Sequence, residues 1–188
     1  MCSELETERL MLRELSPADE QALHALKSCP AQWRHQAVEP AELSDSATRI
    51  ANYLKYRGSG ADRRLFVYLA RRRANGEVVG TVSLQRSERA IASLGLAVAT
   101  AQWGRGFGTE LARRLLAFGF AELALNRIAA DVSVDNHPCM RVMEKIGMRR
   151  EGVARECIFA QGRWWTEAKY AVLRSDWVRM LLPQLASL

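Results

Sequence analysis

Three glycines at alternate positions form the part of this sequence that can do chemistry most directly. They occupy positions 104, 106 and 108, after an apolar run that ends at Val98 and before a helical pattern from Glu110 to Phe120. Glycine lets the backbone turn freely and lets another molecule approach it closely. Glycines that open a helix leave unpaired N–H groups at the positive end of the helix dipole. The pattern therefore predicts a main-chain anion site, most naturally for phosphate.

The spacing of these glycines differs from that of two familiar phosphate-binding loops. The third glycine arrives one residue too early for the GxGxxG of a dinucleotide fold, and Leu123 and Ala124 stand where an acidic residue is required. A P-loop ends in Gly-Lys-Ser or Gly-Lys-Thr, whereas Gly108-Thr109-Glu110 contains no lysine. The alternative that remains open is a tight strand-to-helix turn with no ligand.

A second motif follows a predicted strand in the later part of the chain. It runs from Asn136 to Met148 as Asn-His-Pro-Cys-Met-Arg-Val-Met-Glu-Lys-Ile-Gly-Met, and Glu151-Gly152 comes after it. Together with the segment Trp103–Glu110, it resembles the GNAT superfamily of acetyl-CoA-dependent N-acetyltransferases. The closer likeness is to the RimJ/RimL-type branch, which acetylates protein N-termini, including those of ribosomal proteins. The resemblance covers nearly the whole chain and implies one N-acetyltransferase domain over residues 1–188.

The resemblance assigns most of the cofactor site to main-chain groups. In this family the amides of the glycine loop hold the pyrophosphate of coenzyme A, and the strand before the loop runs beside the pantetheine arm. Asn136 matches a side chain that hydrogen-bonds the cofactor, with a simple helix cap as its alternative role. The residues implied to bind acetyl-CoA are Leu96, Ala97, Val98, Gly104, Arg105, Gly106, Phe107, Gly108, Thr109 and Asn136.

The chemistry implied is direct attack of a primary amine on the thioester carbonyl. The amine must lose a proton, and an α-amino group with a pKa of about 7.7 to 8.0 does so more easily than lysine, with a pKa of about 10.4. The family implies that a backbone N–H near Val98 stabilises the oxyanion. The departing thiolate of coenzyme A then needs a proton or a hydrogen bond.

The chain departs from its relatives at the catalytic positions. Met143 stands where many members have a tyrosine, and Cys139 stands where RimJ/RimL-type enzymes often have a serine. A thiol with a pKa of about 8.5 could protonate the leaving thiolate, or Cys139 could be a buried packing residue. Some relatives carry a carboxylate at the position of Ile158. Glu156 lies two residues earlier, on the same face of a regular strand, and is either the base or an exposed charge.

Hydrophobic periodicity predicts the elements that position these residues. The GNAT resemblance implies an α/β (α+β) fold, with a mixed, mostly antiparallel sheet flanked by helices and with two splayed strands. A helix is predicted from Ser44 or Ser46 to Tyr56, and Asn75-Gly76 marks a hairpin between strands. The strands over 91–98 and 127–134 are expected to splay apart, so that coenzyme A enters the gap.

Composition restricts the remaining classes of function. The chain has 188 residues and a net charge of +6, without an apolar run long enough for a membrane span or a secretion signal at its start. We therefore expect a cytoplasmic protein with no membrane partner, present as a monomer or homodimer. Four scattered cysteines and three histidines offer no spacing typical of a metal site. No basic stripe with interleaved aromatic residues indicates nucleic-acid binding.

The amine acceptor is the least determined feature of the sequence. The branch resemblance favours a peptide or protein α-amine. A small cationic amine, such as a polyamine or aminoglycoside, would require an acidic pocket. A third alternative is a non-catalytic acyl-CoA-binding module. The pair Trp164-Trp165 could frame the acceptor pocket, and the carboxylates available for an acidic pocket are Glu39, Glu42, Asp45 and Asp62.

Overall fold

The computed structural model describes residues 4–38, 45–88 and 90–185 of the chain. Within these residues, a single mixed sheet of eight strands has the spatial order β1-β2-β3-β4-β5-β6-β8-β7. Neighbouring strands are antiparallel except β5 and β6, which are parallel. The strands are β1 (Glu4–Glu6), β2 (Leu10–Glu14), β3 (Leu65–Arg72), β4 (Val78–Glu88), β5 (Ile91–Val98), β6 (Arg127–Ser133), β7 (Arg149–Ala160) and β8 (Arg163–Leu173).

Helices cover both faces of the sheet, which confirms the predicted mixed, mostly antiparallel α/β architecture. The helices are α1 (Glu20–Lys27), α2 (Pro30–Trp33), α3 (Ser46–Tyr56), α4 (Phe107–Ala117), α5 (His137–Lys145) and α6 (Arg174–Leu185). The side chain of Asp45 caps α3 by accepting a hydrogen bond from the Thr48 N–H. Helix α3 thus begins at the later of the two predicted positions, and Ser44 lies outside the described residues. No helix in the described ranges is long and apolar enough to cross a membrane.

Alternate residues of β3 pack into two different hydrophobic clusters, as expected for a strand covered on both faces. Phe66 and Tyr68 belong to the larger cluster, which also contains the buried face of α4. Val67 and Leu69 contact the smaller cluster, formed with α1 and α3. Alternate residues of β5, β6 and β8 also pack into the larger cluster. We call the two sides of the sheet the α4/α5 face and the α1/α3 face.

The strands β5 and β6 separate after a short paired segment. Their parallel register covers only Ile91, Ala92 and Ser93 on β5. From Leu94 to Val98, β5 stays paired with β4 on its other edge, while β6 pairs with β8. The predicted splay between these strands is therefore found, and it opens a gap in the middle of the sheet.

A wide bulge interrupts the pairing of β7 with β8. Ala154 lies opposite Glu167, and Ile158 lies opposite Trp165, so more residues of β7 than of β8 occupy the interval. Glu156 lies inside the bulge with a left-handed φ of 48°. The regular alternation that placed Glu156 on the same face as Ile158 does not hold here, because a bulge breaks the two-residue period of a strand.

Candidate active site

A cavity of about 890 Å³ passes through the gap between β5 and β6. On the α4/α5 face it is lined by the glycine loop, the start of α4 and the start of α5. On the α1/α3 face it is lined by the end of α1, by residues 30–38, which contain α2 and which we call the α2 segment, and by the inner strands. We call these two parts the loop half and the strand-face half of the cavity. A ligand in one half can therefore meet a ligand in the other through the sheet.

The glycine loop adopts the conformation that its sequence predicts. Gly104 and Gly106 have φ values of 75° and 81°, a left-handed region that glycine enters without the penalty of a Cβ atom. Gly106 is the N-cap of α4, and no side chain caps this helix end. The N–H groups of the first turn, from Phe107 to Thr109, are therefore left for a ligand, and these residues line the cavity.

Arg9 neutralises the one carboxylate in the first turn of α4. Its guanidinium Nε donates to Glu110 at 2.7 Å, and Thr7 Oγ1 also donates to this carboxylate. Burial would raise the pKa of Glu110, but the hydrogen bonds from Thr7 and Arg9 outweigh it and lower the pKa. The Arg9 guanidinium also stacks on the Phe107 ring, 4.4 Å from its centroid. An anion at the start of α4 thus meets a helix end whose own acid is already paired.

Arg105 is the member of the predicted loop set that turns away from the cavity. Its guanidinium donates to Gln102 Oε1 at 3.1 Å, and its carbonyl oxygen accepts a hydrogen bond from Arg9. The side chain lies beside Arg72 and Arg73 in a separate surface depression. The structure therefore leaves only the main chain of Arg105 available to the loop half.

The open edge of β5 presents main-chain groups to the gap. Neighbouring residues of a strand point their N–H and C=O groups to opposite sides, so Leu96 and Val98 face the gap while Ala97 pairs with β4. The Val98 carbonyl oxygen accepts hydrogen bonds from the side chains of Gln32 and Trp103. Because these two side chains fix the peptide groups at the end of β5, the Val98 N–H is held toward the cavity.

Asn136 and Cys139 meet at the start of α5. Asn136 Oδ1 accepts a hydrogen bond from the Cys139 N–H at 3.1 Å, so the side chain is a helix cap. Both residues also line the loop half. Burial raises the pKa of the Cys139 thiol to about 11. The thiol therefore stays protonated at neutral pH, which suits a proton donor and does not suit a thiolate nucleophile.

The strand-face half is closed by contacts between distant segments. The side-chain amide of Gln161, in the turn between β7 and β8, lies within hydrogen-bond distance of the carbonyl oxygens of Trp33, Gln36 and Val38. These contacts hold the α2 segment over the sheet. The floor below it is formed by Thr81 and Ser83 of β4 with Gly95 and Ala97 of β5.

Two carboxylates among the described residues line this half, and both are ion-paired with Lys169. Its ammonium lies 3.0 Å from Asp131 and 2.9 Å from Glu167. The bulge in β7 leaves Glu156 exposed and outside the lining, with its N–H bonded to Thr166 Oγ1. The structure thus corrects the position of the candidate base: Glu167 faces the cavity and Glu156 does not.

Other residues that the sequence offered for the acceptor pocket lie elsewhere. Trp165 is buried, with its indole N–H bonded to the Ala160 carbonyl oxygen, and Trp164 packs on Phe159 at the surface. Asp45 caps α3 and Asp62 is exposed in a turn of 3-10 helix, so neither lines the cavity. Glu39 and Glu42 lie outside the described residues.

Sequence reasoning missed two basic groups in the strand-face half, Lys27 and His35. Both line the cavity. The Nδ1 atom of His35 is buried and has no hydrogen-bond partner. Burial and the nearby Arg34 lower the pKa of His35, so its imidazole is neutral at pH 7. No local pattern marks either residue: Lys27 ends α1, and His35 lies in the turn after α2.

The family follows from comparison with known proteins. The family model described as "Acetyltransferase (GNAT) domain" matches residues 9–149, and the chain belongs to this family. The N-acetyltransferase YoaA of Bacillus subtilis, described as uncharacterized, is 28% identical over 174 residues, which covers 90% of this chain and 96% of YoaA.

Two solved structures share the fold and contain coenzyme A. Spermidine N-acetyltransferase from Vibrio cholerae, in complex with coenzyme A and spermine, has a TM-score of 0.79 at 24% identity and covers 92% of this chain and 99% of its own. RimL, a ribosomal α-N-protein acetyltransferase in complex with coenzyme A, has a TM-score of 0.80 at 17% identity, covering 90% and 97%. At this identity the two show the fold and do not identify the acceptor.

The protein is therefore an acetyl-CoA-dependent N-acetyltransferase, and the alternative of a non-catalytic binding module is set aside. The start of α4 suits the pyrophosphate of the cofactor, because its first-turn residues line the cavity and no side chain caps them. A Cβ atom at Gly108 would lie 3.6 Å from side-chain atoms of Val98 and Val142, inside the cleft. Among the described residues, no cluster of three or more histidine, cysteine, aspartate or glutamate side chains could hold a metal ion.

We predict that Gly108→Glu abolishes coenzyme A binding without unfolding the protein. The new side chain enters the cleft and places a negative charge beside the pyrophosphate, so the dissociation constant should rise by about 100-fold or more, ~3 kcal/mol. Isothermal titration gives this constant, and the thermal midpoint of the free protein should change little because Gly108 has no left-handed φ. The control is Gly152→Glu, where the added side chain meets open space. Wild-type affinity in Gly108→Glu would show that the cleft is assigned to the wrong ligand.

Proposed function

We propose that this enzyme acetylates the α-amine of a peptide or protein N-terminus by direct attack. The observation that supports this acceptor is the charge of the strand-face half. Its described carboxylates, Asp131 and Glu167, are already paired with Lys169, and Lys27 adds a further positive charge. A polycationic acceptor needs unpaired carboxylates, whereas an α-amine is neutral in good part near pH 8.

The cofactor is held by main-chain groups in this proposal. The first-turn amides of α4, from Phe107 to Thr109, bind the pyrophosphate, and the free edge of β5 at Leu96 and Val98 binds the pantetheine arm. Bound acetyl-CoA supplies the acetyl group as a thioester. The Val98 N–H, fixed through its own carbonyl by Gln32 and Trp103, donates to the carbonyl oxygen that gains negative charge.

Cys139 serves as the proton donor to the leaving sulfur, and the proton that Glu167 took from the amine returns through solvent to the Cys139 thiolate. It stands at the start of α5 in the loop half, and its N–H is bound by Asn136, which fixes its backbone. Burial keeps its thiol protonated at the pH where the amine is neutral. The thiol can therefore donate a hydrogen bond to the departing thiolate throughout the working range of pH.

Glu167 accepts the proton that the attacking amine loses, directly or through water. It lies on β8 opposite Ser133 of β6, beside the gap through which the two halves meet. Its carboxylate faces the cavity and forms an ion pair with Lys169. A carboxylate is a sufficient acceptor here because an amine that has attacked a carbonyl becomes strongly acidic.

We predict that Cys139→Ala lowers kcat by about a hundredfold, because the leaving thiolate loses its proton donor. Cys139→Ser should recover much of the rate, and the affinity for acetyl-CoA should stay within twofold in both variants. Since the pKa of Cys139 is about 11, its ionisation should cause no loss of wild-type rate between pH 7 and 9. Steady-state kinetics across this range tests the prediction. An unchanged kcat in Cys139→Ala would show that Cys139 is a packing residue and does not act in catalysis.

We predict that Glu167→Gln lowers kcat by about tenfold to a hundredfold at pH 7 and that part of the loss is recovered at higher pH, where free hydroxide can take the proton. Glu156→Gln, in the exposed bulge, is the matched control and should leave kcat unchanged. Release of free coenzyme A measures both rates. Loss of activity in His35→Gln, combined with full activity in Glu167→Gln, would assign the base to the imidazole instead.

The acceptor itself is tested by a screen. We expect release of coenzyme A with peptides that carry a free α-amine, and at least tenfold lower kcat/KM with the same peptides blocked at the N-terminus and carrying a lysine. Polyamines and aminoglycosides should be poor acceptors, because Lys27 repels them. Efficient turnover of spermidine, with no turnover of any peptide, would refute the proposed acceptor.

A further inference from the structure

Lys27 places a positive charge in the strand-face half of the cavity, and this charge pairs with no described residue. It is the last residue of α1, and its carbonyl oxygen accepts a hydrogen bond of 2.6 Å from the Trp33 indole N–H. This bond ties the end of α1 to the α2 segment above the cavity. Lys27 lines the strand-face half together with Val67, Thr81 and Ser83.

The Lys27 ammonium has no hydrogen bond or ion pair with any residue that the structure describes. Burial first, and then the positive charge of Arg49, lower its pKa to about 8. Lys27 is half-buried, and an anionic ligand in the cavity would supply the counter-charge that no described residue supplies. The buried Nδ1 atom of His35, also without a partner, is a second polar group here that a ligand would satisfy.

Lys27 and the two carboxylates of the strand-face half lie on opposite sides of the gap. Lys27 ends α1, which packs in one cluster with β3, whereas the carboxylates of Asp131 and Glu167 lie on β6 and β8, across the gap. An acceptor that carries both an amine and a carboxylate would align with this field. Its amine would lie toward Glu167 and the gap, and its carboxylate toward Lys27.

We propose that Lys27 binds a carboxylate of the acceptor and so selects amines that carry an acidic group near the reacting nitrogen. This inference rests on the proposed transfer to an amine in the same cavity. The carboxylate has two possible sources, an acidic side chain close to a peptide N-terminus or the carboxylate of a free amino acid. Lys27 is a specificity residue in this scheme, because it contacts the acceptor away from the atoms that react.

The test measures binding and turnover with matched acceptors. Two peptides that differ only by Asp or Asn at the second residue are titrated calorimetrically into the enzyme saturated with coenzyme A, and are then assayed with acetyl-CoA. For the wild type, the Asp peptide should bind about tenfold more tightly and have a correspondingly lower KM. In Lys27→Met the two peptides should become equal in affinity and in KM. In Lys27→Glu the preference should reverse.

Two controls separate this effect from a loss of folding. Lys55→Met removes an exposed lysine of α3 that stacks on Tyr56, and it should leave the preference unchanged. Wild-type affinity for coenzyme A shows that Lys27→Met keeps its loop half intact. Equal binding of the two peptides to the wild type, or an undiminished preference in Lys27→Met, would overturn the role of Lys27.

Free aspartate and glutamate, assayed beside the peptides, separate the two sources of the carboxylate. Acetylation of a free acidic amino acid, sensitive to Lys27→Met and without any peptide turnover, would refute the peptide acceptor and support the role of Lys27. Equal acetylation of the Asp and Asn peptides by both the wild type and Lys27→Met would support the peptide acceptor and refute the role of Lys27. The two proposals thus fail in different experiments.

Discussion

The separation of β5 from β6 beyond Ser93 is the constraint on which the rest of the site depends. A strand that loses its neighbour in the middle of a sheet exposes main-chain N–H and C=O groups that must find other partners. Here Gln32 and Trp103 bind the Val98 carbonyl, while the N–H groups of the same edge are left to a cofactor. The hydrogen-bonding capacity that would close the sheet instead becomes a binding surface.

The start of α4 also exposes main-chain groups that have no partner among the described residues. Its glycines lack side chains that could cap the helix, so the first-turn amides need an external acceptor. Glu110 would weaken an anion site at this end of the helix, but Arg9 and Thr7 bind its carboxylate. The turn between β1 and β2 is thereby joined to helix α4 at the point where the pyrophosphate is proposed to bind.

The two halves of the cavity, on opposite faces of the sheet, are built from different kinds of groups. The loop half is built mainly from main-chain groups of one continuous region, which suits a cofactor that is always the same. The strand-face half is built from side chains of α1, the α2 segment, β6 and β8, with Gln161 closing it from the β7–β8 turn. Side chains can change without disturbing the fold, and so specificity for an acceptor is most easily set there.

Local features could be predicted from the amino-acid sequence because their causes lie within a few residues. The glycine turns at Gly104 and Gly106 and the cap at Asn136 belong to this group, whereas the departure of β5 from β6 was expected only from the family resemblance. The position of Glu156 was not predictable, because the bulge in β7 depends on its pairing with β8. Lys27, His35 and Glu167 come together only in the folded chain, since burial and charge at a site depend on neighbours that are distant in sequence. Short-range backbone geometry thus determines the cofactor loop, whereas long-range packing determines which charges the acceptor meets.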